Sequence, residues 1–319
     1  MKAVYIEEYG NAQKLILGEL ERPAINADQV LIKVQGAGVN PVDWMIRDGY
    51  LKDTDYHQLP LILGWDVAGE IAELGANVTD FALNEAVFAY APIAGQGAYA
   101  QYIAVNSQLV AAKPKSLSLL DSAAVPLAAT TAYQALMKGC QLKAGDKVLI
   151  HNAAGGVGSF AVQIAKAAGA YVIATASAAK HDFVKSLGAD QLIDYRSERF
   201  EACVSELDAV LAAVGGDDIL ARSLTVIRKG GYLVSLLDEI DESALTNVDV
   251  NYQRWWVSPD AQDLGHIAKL IDSGQIKVVI DKVFPLEQVE QAHALSESKT
   301  VTGKIVLAIS DGPALQGEG

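Results

Sequence analysis

A chain of 319 residues with 51% hydrophobic side chains is long and apolar enough to build two domain cores. Its formal net charge of −14, with no Lys/Arg-rich run, excludes nucleic-acid phosphates and anionic membrane surfaces as partners. The two cysteines, Cys140 and Cys203, stand in no metal-ligand spacing, which fits a reduced cytoplasmic setting and predicts small core residues rather than nucleophiles.

The opening MKAVYIEEYG lacks the apolar core of a signal peptide, and Glu7 and Glu8 argue against a transit peptide. Residues 1 to about 120 hold short strand-like runs broken by glycine (MKAVYI, QVLIKVQGAGV, DVAGEIAELG, EAVFAYA, AYAQYIAV), the pattern of a mainly antiparallel, barrel-like unit. The uncharged stretches near 122–137 and 148–165 are rich in Gly, Ala, Ser and Thr, and Pro126 lies in the first, so neither reads as a membrane span. From about 121 the texture changes: KVLIHN, AYVIATA, QLIDY, LDAVLAAV and GYLVSLL alternate with helical stretches, as a doubly wound parallel sheet requires. After NYQRWWVSPD come the helix AQDLGHIAKLIDSG, ending at Gly274, then QIKVVIDKVF, another helix and the strand GKIVLAI. The tail SDGPALQGEG is expected to be loosely ordered. The fold class expected is α/β.

The stretch HNAAGGVG (151–158) follows the strand KVLI and precedes SFAVQIAKAAGA, whose apolar residues recur at helical spacing. Strand, glycine turn and helix in that order let the backbone at Gly155, Gly156, Val157 and Gly158 approach a diphosphate, because a helix N-terminus presents free N–H groups. An NAD-preferring site places an Asp or Glu about 20 residues beyond the glycines, on the ribose 2′-OH. Here no acidic residue occurs between Gly158 and Asp182; Thr175, Ser177 and Lys180 stand at that edge, with Tyr195 and Arg196 at the end of the next strand. Hydroxyls plus a cation suit a 2′-phosphate, so the cofactor predicted is NADPH. The competing reading makes Ser177 a helix cap and Lys180 a solvated surface residue.

These motifs, with GAGVNPVDWMIRDG (36–49), LGWDVAGEIAELG (63–75), GAYAQYIAV (97–105), AAVPLAATTAYQAL (123–136) and GKIVL (303–307), resemble those of the medium-chain dehydrogenase/reductase superfamily. More narrowly, the chain is similar to its zinc-free quinone oxidoreductase and alkenal/enone reductase branch, and the resemblance runs through nearly the whole length. It implies a Rossmann NADPH-binding domain at 122–265, inserted in a mainly β, GroES-like barrel catalytic domain at 1–121 and 266–319, and a homodimer. Zinc relatives carry a catalytic Cys where this chain has Asn40, and GHE where it has Gly64, Trp65 and Asp66; the five histidines show no motif spacing. No metal site is therefore expected, and without a Lewis acid the acceptor must already be activated: a quinone, or a C=C bond conjugated to a carbonyl.

On this resemblance Asn40 is the candidate donor to the oxygen on which charge develops. Tyr50 is a candidate pocket tyrosine, although the order YL differs from the LY of some quinone reductases. Thr131 is the candidate contact to the nicotinamide half, which Gly215 and Gly216 underlie. Ala212 stands where relatives often have Asp, and Lys299 where many have Gly. Asp43 is expected to cap the helix DWMIRDG, and Lys304 to be a surface charge at a strand start. Of Trp255 and Trp256 at most one can line a pocket, since neighbours on a strand face opposite ways. Three functions compete: an NADPH-dependent reductase of quinones or α,β-unsaturated carbonyls, an NADPH-binding sensor or scaffold, and a zinc alcohol dehydrogenase.

Overall fold

The computed structural model describes residues 1–216, 218–246 and 248–309, so the tail 310–319 lies outside the described residues. In chain order the strand-like runs of the first third become β1 (Lys2–Ile6), β2 (Ile16–Glu19), β3 (Gln29–Val39), then helix α1 (Pro41–Arg47), β4 (Leu61–Ile62), β5 (Asp66–Leu74), β6 (Ala86–Tyr90), β7 (Tyr102–Asn106) and β8 (Val110–Ala112). Two helices follow, α2 (Leu119–Ser122) and α3 (Pro126–Gln134), the latter opened by proline at a position where its missing N–H costs nothing. The alternating region supplies β9 (Lys147–His151), α4 (Gly156–Ala167), β10 (Tyr171–Ala176), α5 (His181–Ser186), β11 (Gln191–Asp194), α6 (Phe200–Cys203), β12 (Leu207–Ala212), α7 (Ile219–Leu224), β13 (Ile227–Ser235), α8 (Glu242–Leu245) and β14 (Val250–Arg254). The chain then returns through α9 (Ala261–Asp272), β15 (Ile280–Pro285), α10 (Val289–Glu297) and β16 (Lys304–Ala308).

These elements sort into two compact units. The first comprises Met1–Ala128, Pro259–Asp272 and the segment from Val278; the second comprises Ala129–Ser258 and Ser273–Lys277. The divisions expected at 121/122 and 265/266 therefore fall at 128/129 and 258/259. Two contacts explain the difference. The Leu127 N–H at the start of α3 donates to Asp66 Oδ1 at 2.5 Å, and α9 packs on β8, so both segments belong with the first unit. Reciprocal bonds between the Gln163 side chain and the Lys277 backbone, at 2.7 and 3.0 Å, keep 273–277 with the second.

In the first unit β3 is the organising strand. Buried at most of its positions, it pairs antiparallel with β5, β7 and β16 in a seven-stranded sheet that runs β15-β16-β3-β5-β6-β8, with β7 on β3. A separate three-stranded sheet, β2-β1-β4, lies in the same unit, and β1 also bridges Ala100. In the second unit every pairing is parallel and the order is β11-β10-β9-β12-β13-β14. That is the doubly wound order, and its direction reverses between β9 and β12, where such sheets open a crevice at their carboxyl ends. Leu149, Ile173, Val210 and Leu233 from the strands pack with Leu220 and Leu224 of α7 to fix those ends in place.

Candidate functional site

The crevice of the second unit is lined by backbone. After β9 the chain turns through Asn152, which adopts a left-handed conformation (φ 55°), and Gly155 then opens α4 with no side chain on its capping position. The first N–H groups of a helix have no partner within it. At Gly158 a Cβ would lie 2.1 Å from the Asn152 carbonyl oxygen and 2.7 Å from Ala153 Cα, so only glycine lets α4 start this close to the end of β9. Gly155, Gly156 and Val157 are half-exposed along that turn. Asn152 Nδ2 donates to the Ala213 carbonyl at 3.3 Å and so joins this turn to the one after β12. There the Gly216 N–H donates to Asp238 Oδ2 at 2.6 Å. A carboxylate thus reaches the Gly215–Gly216 turn even though position 212 is Ala; it arrives from the loop after β13, a residue the sequence reading missed.

The structure separates the residues expected at the ribose edge. Thr175, 4% exposed, lies behind the glycine turn: its Oγ1 accepts from the Asn152 N–H at 3.3 Å and stands 3.2 Å from His151 Nδ1. Thr175 holds the turn rather than presenting its hydroxyl to solvent. His151 is also in contact with Ser223 Oγ (3.3 Å) and with the Phe200 ring (4.7 Å between centroids), and burial pushes its pKa down to about 3, so it is neutral. Ser177 opens the short helical turn Ala178–Lys180, yet its side chain makes no capping bond, contrary to the cap reading. Lys180 closes that turn half-buried, and Tyr195 is 58% exposed with the Arg196 guanidinium 5.8 Å from its ring centroid. Asp194, paired opposite Ala176, accepts from the Arg196 N–H and Ser197 Oγ and bonds the Ala178 backbone; these donors, the first above all, hold its carboxyl below the usual range. Asp194 therefore ties Ser177's turn to the Tyr195 loop.

Thr131 is buried (7% exposed) on α3, which runs on into a π-helical turn, Ala135–Gly139. Trp255 packs against Gly139 of that turn, whereas Trp256 is 48% exposed, so the pair face apart as expected. Burial raises the Cys140 thiol to about 12, which leaves it inert.

The first unit holds a different kind of arrangement around Asn40, which is 2% exposed and caps α1. The Asn40 N–H donates to Asp43 Oδ2 at 2.7 Å; the capping position is thus Asn40, and Asp43, expected as the cap itself, is the third residue of α1 and bonds back to it. Asn40 Nδ2 donates to Asp66 Oδ2 at 2.8 Å, and Asn40 Oδ1 accepts from Lys304 Nζ. Lys304 also donates to the Val39 carbonyl at 3.1 Å and reaches Asp66 Oδ2 at 3.4 Å. The expectation that Lys304 is a surface charge is overturned: it is 3% exposed, because the start of β16 lies beside the end of β3 and faces inward. Asp43 continues the cluster outward. Its Oδ2 also accepts from Tyr99 Oη at 2.8 Å, while Oδ1 is buried with no partner, and burial lifts its carboxyl to about 7. Tyr99 meets His293 Nε2 at 3.4 Å; His293 Nδ1 accepts from Arg47 at 3.1 Å, so the ring is neutral, its pKa pushed down to about 3 by burial and by that guanidinium. Arg47 ends the chain at the surface on Asp48 (2.6 Å) and Glu297 (2.8 Å). Gly64 makes room for all of this, since a Cβ there would stand 2.1 Å from the Tyr99 ring. Tyr50 is half-buried in the turns that follow α1, its N–H donating to the Met45 carbonyl at 2.8 Å.

Among the described residues no group of three or more His, Cys, Asp or Glu side chains could hold a metal ion, and no helix is long and apolar enough to cross a membrane.

Comparison with known proteins places this geometry. The family model for an alcohol dehydrogenase GroES-like domain matches residues 26–115, and that for a zinc-binding dehydrogenase matches 187–307. An NADPH-dependent alkenal/one oxidoreductase, chloroplastic, from Arabidopsis thaliana is 36% identical, over 96% of this chain and 79% of its own. The chain belongs to the medium-chain dehydrogenase/reductase superfamily, in its quinone oxidoreductase branch. Within that branch, the structure of a quinone oxidoreductase from Coxiella burnetii superposes with a TM-score of 0.91 at 32% identity, covering 97% of this chain and 99% of that one. The Escherichia coli quinone oxidoreductase, solved with NADPH, superposes at 0.87 with 26% identity, covering 97% and 100%. The protein is an oxidoreductase, with a Rossmann-like parallel sheet and a GroES-like domain.

Proposed function

We propose that this oxidoreductase uses NADPH to reduce quinones or α,β-unsaturated carbonyls by hydride transfer without a metal ion. NADPH supplies the hydride. The glycine turn after β9 would receive its diphosphate, the Gly215–Gly216 turn and Thr131 its nicotinamide half, and Ser177, Lys180 and the Tyr195 loop its 2′-phosphate. The observation that carries the reading is the state of Asn40: its amide is buried, oriented and left with one Nδ2 hydrogen that has no partner among the described residues. A fixed donor of that kind suits the oxygen that gains negative charge when hydride adds to the β-carbon or the quinone ring. The proton that completes the reduction would come from solvent or a nearby hydroxyl. Tyr50, half-buried after α1, would be the pocket tyrosine.

Zinc independence rests on the side chains at the positions where zinc relatives bind metal. Asn40 and Asp66 here spend their oxygens on a lysine ammonium, an amide and a backbone N–H. The first unit is read as a catalytic domain whose sheets wrap as a partly open barrel, joined at the Ala3–Ala100 bridge. A cytoplasmic setting accords with two unpaired cysteines, and a homodimer with β14 as an open sheet edge. Initial rates of NADPH oxidation across quinones, enones and 2-alkenals, with NADH run beside, test the function. NADPH-preferring turnover on at least one class is expected; binding of NADPH with no turnover on any class would overturn it.

A further inference from the structure

We propose that Lys304 and Asp66 are positioning residues that lock the Asn40 amide in one orientation and so keep a single N–H directed to the substrate oxygen. This rests on the reading of Asn40 given above. A lysine ammonium has three donors and no acceptor, and an ionised carboxylate only accepts. Around Lys304 Nζ stand three oxygens, from Val39, Asn40 and Asp66. Around the Asp66 carboxylate stand the Leu127 N–H on Oδ1, and Asn40 Nδ2 and the ammonium on Oδ2. An amide can ordinarily flip, exchanging its oxygen and nitrogen at little cost. Here a flip would set NH2 against NH3⁺ and C=O against a carboxylate, all at positions 3% exposed or less. The amide therefore has one orientation. The Val39–Asn40 peptide that precedes it is held at both its polar groups, by Lys304 on the Val39 carbonyl and by Asp43 on the Asn40 N–H.

The pair has no need to exist for stability alone. Two ions buried together repay their desolvation only with good geometry, and a well-packed apolar pair of similar volume is often as stable. What an apolar pair lacks is the power to tell the two ends of an amide apart.

The test removes the pair without stranding a charge. In the Asp66→Asn/Lys304→Met double variant the expected results are a native melting profile, unchanged NADPH affinity by fluorescence titration, and kcat lower by on the order of tenfold. Adding the same two changes to Asn40→Ala should cost nothing further, because Lys304 and Asp66 act only through Asn40. Should the double variant fail to fold, Asp66→Asn with Lys304→Gln carries the test, since both new amides accept either orientation of Asn40 and kcat should fall. Wild-type kcat in whichever variant folds, or an equal further loss in the Asn40→Ala background, overturns the proposal. Wild-type kcat in Asn40→Ala itself would instead overturn the reading of Asn40 on which it rests.

Discussion

The glycine turn after β9 and the cluster around Asn40 do their work by opposite means. The turn is half-exposed and presents backbone N–H groups; side chains matter there mainly by being absent. The cluster is buried and built around side chains, joined across the chain, Asn40 to Lys304 over 264 residues and Asp66 to Lys304 over 238. A site made of backbone can be altered by adding one carbon, whereas a site made of paired charges is altered by leaving one of them alone.

The largest effect should come from the turn. Gly158→Ala sets a Cβ against Asn152 and Ala153, neither of which can yield without moving the end of β9. The NADPH dissociation constant is expected to rise by on the order of a hundredfold or more, read by fluorescence titration; a change under about threefold would remove the turn from cofactor binding. Asn40→Ala should strike the other region, lowering kcat by about a hundredfold while NADPH affinity stays near wild type. If affinity fell and kcat held, the division of labour between the regions would be reversed. A smaller change is expected at the ribose edge. Ser177→Ala with Lys180→Ala should raise the KM for NADPH by about tenfold to a hundredfold, with that for NADH nearly unchanged; equal effects on both would take these residues out of 2′-phosphate recognition.

The last effect falls on stability rather than on turnover or affinity, and it is a pH dependence. Burial raises the Asp43 carboxyl from 3.8 to about 7, so between those values the folded chain keeps a proton that the unfolded chain has released. Its stabilising contribution is complete below pH 3.8 and is lost as pH rises to about 7. His151 and His293, lowered from 6.5 to about 3, act in the other sense: their contribution is complete above pH 6.5 and is lost as pH falls. Asp43→Asn removes only the first term. The stability of the variant relative to wild type should rise by up to about 1.4 kcal/mol per pH unit from pH 4 to 7 and then level. Calorimetric melting of both proteins at pH 5, 6, 7 and 8 checks this, and a constant gap would contradict it.

What could be read beforehand follows the same contrast. The parallel sheet and its glycine turn were legible because strand, turn and helix lie within about 20 consecutive residues, and a turn that depends on missing Cβ atoms writes glycines into the sequence. That Asp43 serves the start of a helix was legible for the same local reason, but the cap itself is Asn40, because Pro41 lets the helix begin two residues earlier. Lys304 was not, since a lysine at the head of an apolar strand carries no sign of whether the strand begins at the surface or beside a buried asparagine. Thr175 and Asp238 show the limit from the other side. A hydroxyl at the end of β10 serves a ligand or a neighbouring turn equally well, and the carboxylate beneath Gly216 comes from a loop more than twenty residues away, where spacing gives no cue.

Tracing the hydride itself is the most direct test of the central claim. Chelator-treated protein, given NADPH deuterated at the transferring position of C4 and a 2-alkenal, should yield the saturated aldehyde with one deuterium on the β-carbon, found by NMR. Deuterium on the carbonyl carbon, in an allylic alcohol, would contradict it and assign the protein the chemistry of an alcohol dehydrogenase.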